Sequence, residues 1–135
     1  MKANELMVGD WVYSAFTEHP CKVEGIEWVE SGYAYVKVSG VDGYKCIESL
    51  SPIPLVQDIL EKNEFEVTRN ITSSRNKDVW ALRVSKNKVF HITEHYNKRQ
   101  FPYFWIELGS NSDIKYVHQL QNALHLCGIE KEIIL

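Results

Sequence analysis

The chain has 135 residues, of which 44% are hydrophobic and 24% charged. That suits one domain or two very small modules, with enough buried surface to fold without disulfides. A net charge of -3 leaves no global basic field to gather phosphates, which argues against a non-specific nucleic-acid binder. Three widely spaced cysteines, Cys21, Cys46 and Cys127, fit reduced thiols better than a disulfide framework.

The opening MKANELMVGD has no apolar signal region, and no stretch approaches the length of a membrane span. The expectation is a soluble, cytoplasmic chain with no membrane partner. Residues 8–16, 21–29 and 33–38 read as strands separated by turn residues. Gly25 inside the second suggests a bulge. In the third, Ala34, Val36 and Val38 alternate with Tyr33, Tyr35 and Lys37, the period of a half-buried strand. Asp42-Gly43 marks a further hairpin. Four or five short strands joined by tight turns suit an SH3-like small β-barrel over residues 1–52.

Residues 51–54, SPIP, interrupt the strands. Residues 54–63 then read as a short helix, with Pro54 at its first position and Asn63 as its stop. Strands follow at 65–71, 79–85, 88–96 and 101–109, the middle pair joined at Lys86-Asn87. Trp80, Leu82, Val84, Phe90, Ile92, Phe104, Ile106 and Leu108 share one parity and form the expected core face. A closing helix is expected over 113–127, capped by Ser112 or Asp113 and ended by Gly128. Its stripe of Ile114, Val117, Leu120, Leu124 and Cys127 should seal the sheet. The tail EKEIIL suggests an edge strand. The fold class is thus α+β, with the barrel followed by a helix–antiparallel sheet–helix module over 53–135 that may pack with it as one domain.

Three segments carry a resemblance: MKANELMVGDWV, SPIPLVQDIL and YVHQLQNAL. In this order they resemble a group of short hypothetical proteins of gut Bacteroidales genomes and their phages or mobile elements. Members open with a similar Lys-Ala-Asn, Leu, Gly, Trp-Val arrangement, carry a Pro-Ile-Pro-Leu helix start and end in a His-Gln-Leu-Gln-Asn helix. The resemblance implies a prokaryotic or phage cytoplasm and passes on no catalytic residues. His125 departs from the group, where the residues after the Asn usually read Leu-Tyr-Phe-Ala-Leu.

No pattern of residues points to catalysis or to a cofactor. His91 and His95 on one strand stand roughly 13 Å apart. His118 and His125 on one helix stand about 10 Å apart. Neither pair clasps a metal alone, and the bland reading is a set of surface histidines. The cysteines lack zinc spacing, and Cys127 reads as core. Glu24, Glu27 and Glu30 recur every three residues, which on a regular strand alternates their faces. No glycine-rich phosphate loop exists.

The polar and aromatic face of the second sheet is the expected binding surface, through Arg83, His91, His95, Lys98, Arg99, Tyr103 and Trp105. Such a mix serves protein interfaces and single-stranded nucleic acid alike. It is equally compatible with a face covered by other elements. The amide-rich helix face of His118, Gln119, Gln121, Asn122 and His125 is either solvated or a second contact surface. The expected function is non-enzymatic protein binding, by an accessory or adaptor protein. The alternative is single-stranded nucleic-acid binding.

Overall fold

A computed structural model describes residues 1–29, 33–69, 78–95, 103–107 and 111–135. The turns expected at Ser31-Gly32 and across most of 72–78 lie outside these residues. The chain divides into two compact units. One is Met1–Pro54 with Tyr116–Gly128; the other is Leu55–Lys115 with Ile129–Leu135. The α+β class expected from the sequence is what is found.

In the first unit, β1 (Trp11–Ser14), β2 (Cys21–Trp28), β3 (Ala34–Val38), β4 (Lys45–Cys46) and β5 (Leu50–Pro52) form an antiparallel sheet in the order β4-β3-β2-β1-β5. The period-two pattern of β3 works as expected: Ala34, Val36 and Val38 are buried, while Tyr35 and Lys37 are exposed. Val36 and Val38 join Leu6, Val12, Cys21, Val23 and Leu50 in one apolar core. Cys21 is therefore the core cysteine, whereas Cys127 is only half-buried. The expected bulge is present. The register slips between Val23 and Gly25, so β2 pairs with β1 through Cys21 and Lys22 and with β3 from Val23 onward. Such a slip bends the strand and increases its twist.

A closed barrel does not form among the described residues. β4 and β5 stand at opposite ends of the sheet order, with no pairing between them. The reason is local. β4 is two residues long, and a 3-10 turn at Ile47–Ser49 diverts the chain before β5 pairs with β1.

The last helix of the chain, α2 (Val117–Leu126), belongs to this unit. It starts later than the sequence suggests. Residues Asn111–Ile114 instead form a strand, so neither Ser112 nor Asp113 caps the helix. Gln119 takes that role, accepting the Tyr116 N–H at 3.2 Å. Gly128, at φ 71, ends it as expected. Val117, Leu120, Ala123 and Leu124 are buried.

Its amide-rich face is half-buried at Gln119, Gln121 and Asn122 and exposed at His125, and two of its amides bind backbone. Gln121 Oε1 accepts the Trp11 N–H at 2.9 Å, and its Nε2 donates to Gly9 O at 3.1 Å. Asn122 Nδ2 donates to Glu5 O at 2.7 Å. The Val117 N–H donates to Ile53 O at 2.9 Å, and Pro54 forms a bridge with Tyr116. The three sequence segments that carry the resemblance are thus tied together here, near Gly9, Ile53 and Gln121.

In the second unit, α1 (Gln57–Lys62) begins three residues after the expected Pro54, which the bridge to Tyr116 holds extended. β6 (Glu66–Arg69), β7 (Asp78–Ser85), β8 (Lys88–His95), β9 (Tyr103–Glu107) and β10 (Asn111–Ile114) form a sheet in the order β10-β9-β8-β7-β6. Trp80, Leu82, Phe90, Ile92 and Phe104 are buried, as the parity requires. Val84 is not: it is 39% exposed, within a register slip between Arg83 and Ser85 next to the Lys86-Asn87 hairpin. Leu108 lies outside the described residues.

The tail from Ile129 to Leu135 forms no strand. Its backbone is instead satisfied by Asn63, whose Oδ1 accepts the Ile134 N–H at 2.7 Å and whose Nδ2 donates to Ile134 O at 2.7 Å. Ile129 and Ile133 are buried. Asn63 is the expected stop of α1, and the following Glu64 adopts φ 69.

Candidate functional site

The residues expected to form a binding face lie on β7, β8 and β9 of the second unit. Arg83 and His91 are exposed. The ladder sets Ala81 opposite His91, Thr93 opposite Trp105, and His95 opposite Tyr103. These positions alternate with the buried Ile92, Glu94 and Phe104. Lys98 and Arg99 lie outside the described residues. The second sheet therefore brings part of the expected set to one run of register positions.

A second surface, on the first unit, was overlooked by reasoning from charge and histidine spacing. Trp28 is 56% exposed, Tyr33 55%, Tyr35 45% and Tyr44 47%. Register shows how three of them relate. Tyr35 on β3 sits between Glu27 on β2 and Cys46 on β4. Trp28 is the next residue of β2 after Glu27, opposite Ala34, so it belongs to the other face of the sheet from Tyr35. Tyr44 reaches across to β2: a Cβ added at Gly25 would lie 2.9 Å from its hydroxyl. Gly25 is thus explained twice over, by the bulge and by the room that it leaves for this ring. The signal was present in the sequence, since the period that buries Ala34 and Val36 must expose Tyr35.

The bulge also changes the charge of this surface. Glu24 and Glu27 were expected on opposite faces, but the extra residue leaves both exposed. Glu24 pairs with Lys37 at 4.0 Å. Glu30 lies outside the described residues. Around the same unit two lysines already lie over rings: Lys22 Nζ is 5.1 Å from the centroid of Trp11, and Lys45 Nζ is 4.9 Å from that of Phe16. Among the described residues, no group of three His, Cys, Asp or Glu is placed to hold a metal ion. None of their helices is long and apolar enough to cross a membrane.

The chain was compared with protein-family models, curated proteins and solved structures. None matches. The functional reading therefore rests on the chemistry of the surfaces themselves.

Among the described residues, three buried acidic or histidine side chains remain, Glu94, Asp10 and His118. Glu94 is fully buried in the second unit. Its two oxygens accept hydrogen bonds from Gln57 Nε2 at 2.8 Å and Trp80 Nε1 at 2.9 Å. Asp10 is buried in the first unit, where its Oδ2 accepts the Met7 N–H at 2.8 Å. Burial pushes its pKa up to about 6, against the lowering effect of that bond and of one from Asn122. The folded state therefore holds a proton that the unfolded chain has lost, and Asp10 makes stability fall as pH rises from about 4 to about 6. Asp10→Asn keeps an acceptor for Met7 and removes the charge. In urea unfolding, its stability relative to the parent should improve between about pH 4.5 and pH 7. A constant offset across that range would contradict this.

His118 differs from the surface histidine expected. It is fully buried, its ring stacks on Tyr116 at a centroid separation of 5.8 Å, and neither ring nitrogen has a hydrogen-bond partner among the described residues. Burial lowers its pKa, which the charge of Glu5 opposes and the N-terminal amine reinforces. The imidazole is then neutral in the fold, and its contribution is lost as pH falls below about 6.5. An apolar ring fits better. His118→Phe is expected to hold or raise stability at pH 7 by up to about 1 kcal/mol, and to reduce the loss on acidification. Destabilisation by more than about 2 kcal/mol would show that the imidazole nitrogens matter.

Proposed function

We propose that this protein is a non-enzymatic accessory or adaptor protein that binds another protein, working in the cytoplasm of a prokaryote in a phage or mobile-element setting. The observation that carries the reading is the set of exposed tyrosines on the first unit, Tyr33, Tyr35 and Tyr44, of which Tyr35 lies on the open face of β3 and Tyr44 reaches Gly25 of β2. Tyr and Trp give large contact areas at low cost in side-chain entropy and are enriched at protein interfaces. Several large exposed rings on one small unit are a feature of interaction surfaces.

We also read the first unit as an SH3-like small barrel that is not fully closed. The strand order, the bend in β2 and the 3-10 turn ahead of β5 support this. Folds of that kind host many binding functions, so the topology supports a binding module by analogy alone. The implied setting rests on the resemblance of the three segments described above.

A second reading, single-stranded nucleic-acid binding, is favoured by one observation: Arg83 and His91 are exposed along the β7–β8 ladder. Two experiments on the intact chain separate the readings. Selection from a random peptide display library should yield binders that lose affinity for a Tyr33→Ser/Tyr35→Ser variant. Labelled oligonucleotides at about 20 mM and 150 mM salt should show no binding. Salt-sensitive oligonucleotide binding lost in Arg83→Ala would favour the second reading and count against the first.

A further inference from the structure

The surface around Tyr35 also carries information on what it binds. In the first unit, four lysines and no arginine stand against eight acidic residues, a net of -4. All four arginines of the chain fall in the second unit, which has a net of +1 from eleven basic and ten acidic residues. The aromatic surface is thus set in the acidic part of the molecule. Three of the four lysines are already engaged: Lys22 and Lys45 lie over Trp11 and Phe16, and Lys37 pairs with Glu24. Glu27 stands directly opposite Tyr35, and both are exposed.

Resting on the protein-binding reading, we propose that this surface takes an arginine-bearing segment of a partner protein, with a guanidinium stacked on Tyr35 and paired with Glu27. A planar guanidinium stacks on an aromatic ring and pairs with a carboxylate at the same time, which a purely apolar partner cannot do. Directly opposed residues on neighbouring antiparallel strands have Cβ atoms about 5 Å apart, so one guanidinium spans both. The acidic field around the surface speeds the approach of a cationic segment and disfavours nucleic acid.

The test is fluorescence anisotropy with the intact chain and four labelled peptides of one design. They carry Arg, citrulline, Glu or Leu at alternate positions between Gly and Ser. The Arg peptide should bind, and its affinity should fall as salt rises. The citrulline and Glu peptides should bind at least about tenfold more weakly. Tyr35→Ser should weaken the Arg peptide about tenfold and Glu27→Gln about threefold. Both positions are exposed, so both variants should keep the parent's melting temperature. Equal binding of Arg and citrulline peptides, or Arg binding unaffected by Tyr35→Ser, would overturn the proposal. Leu-peptide binding that depends on Tyr35 would overturn the arginine assignment while leaving a protein-binding surface. If no peptide binds and display selection is also empty, both readings fall.

Discussion

Replacing Glu94 by alanine is expected to cost the second unit about 3–5 kcal/mol, as much as any single change to this chain. Glu94 comes from the core-facing parity of β8, between Ile92 and the hairpin's end, and is fully buried. It is tolerated because both oxygens are engaged, one by the Gln57 amide and one by the Trp80 indole. Truncation leaves the Trp80 indole N–H buried without this acceptor, removes one partner of the half-buried Gln57 and opens a cavity beside Trp80. Unsatisfied buried groups cost about 1–3 kcal/mol each, and the cavity adds to that. Glu94→Gln is the informative partner, since its single carbonyl serves only one of the two donors. It should cost about 1–3 kcal/mol. Urea unfolding followed by tryptophan fluorescence reads both. A loss below about 1 kcal/mol for the alanine variant would mean that water replaces the carboxylate and that the site is wetter than its burial indicates.

The second large effect is expected in α2. Leu120→Ala should destabilise the first unit by about 2–5 kcal/mol, because Leu120 is fully buried and a methyl cannot fill its space. Gln121→Ala, one residue on, should cost less, about 1–2 kcal/mol. Its bonds to Trp11 N–H and Gly9 O are partly open to water, which can take them over. The two variants should differ in hydrogen exchange. Gln121→Ala should raise exchange at the Trp11 amide locally, whereas Leu120→Ala should lower protection across β1, β2 and β3 together. Equal costs would mean that the amide clasp, and not apolar burial, holds the helix in place.

Much of the fold was legible because it follows from side-chain period. The alternation in β3, β7 and β8 sorted Val36, Trp80 and Ile92 from Tyr35 and His91 without any tertiary information. Breaks in that period were harder to read. The slip at Val23–Gly25 was signalled by the glycine, yet its effect on Glu24 and Glu27 needed the actual register. Residues 111–114 carried good capping chemistry in Ser112 and Asp113, but pairing with β9 offered a full set of backbone bonds and prevailed over local preference. Pro54 failed as a helix start for the same reason, since Tyr116 holds it extended. The amides of α2 looked like surface because their acceptors, Gly9 and Glu5, lie more than a hundred residues earlier in the chain.

The binding surface was half-legible. Reasoning from basic and aromatic composition led to Arg83 and His91. Tyr35 of β3 and Tyr33 just before it had the same standing in the pattern, but they lacked the cations that draw attention to a binding face. An acidic aromatic surface is invisible to a search for phosphate or metal chemistry.

A titration of the isotopically labelled intact chain with a display-selected peptide, followed by amide chemical shifts, tests the assignment of the binding surface most directly. The largest shifts are predicted at Glu27, Tyr33, Tyr35 and Tyr44, with Arg83, Val89 and His91 unmoved. Shifts concentrated at Arg83 and His91, with Tyr35 unchanged, would contradict it.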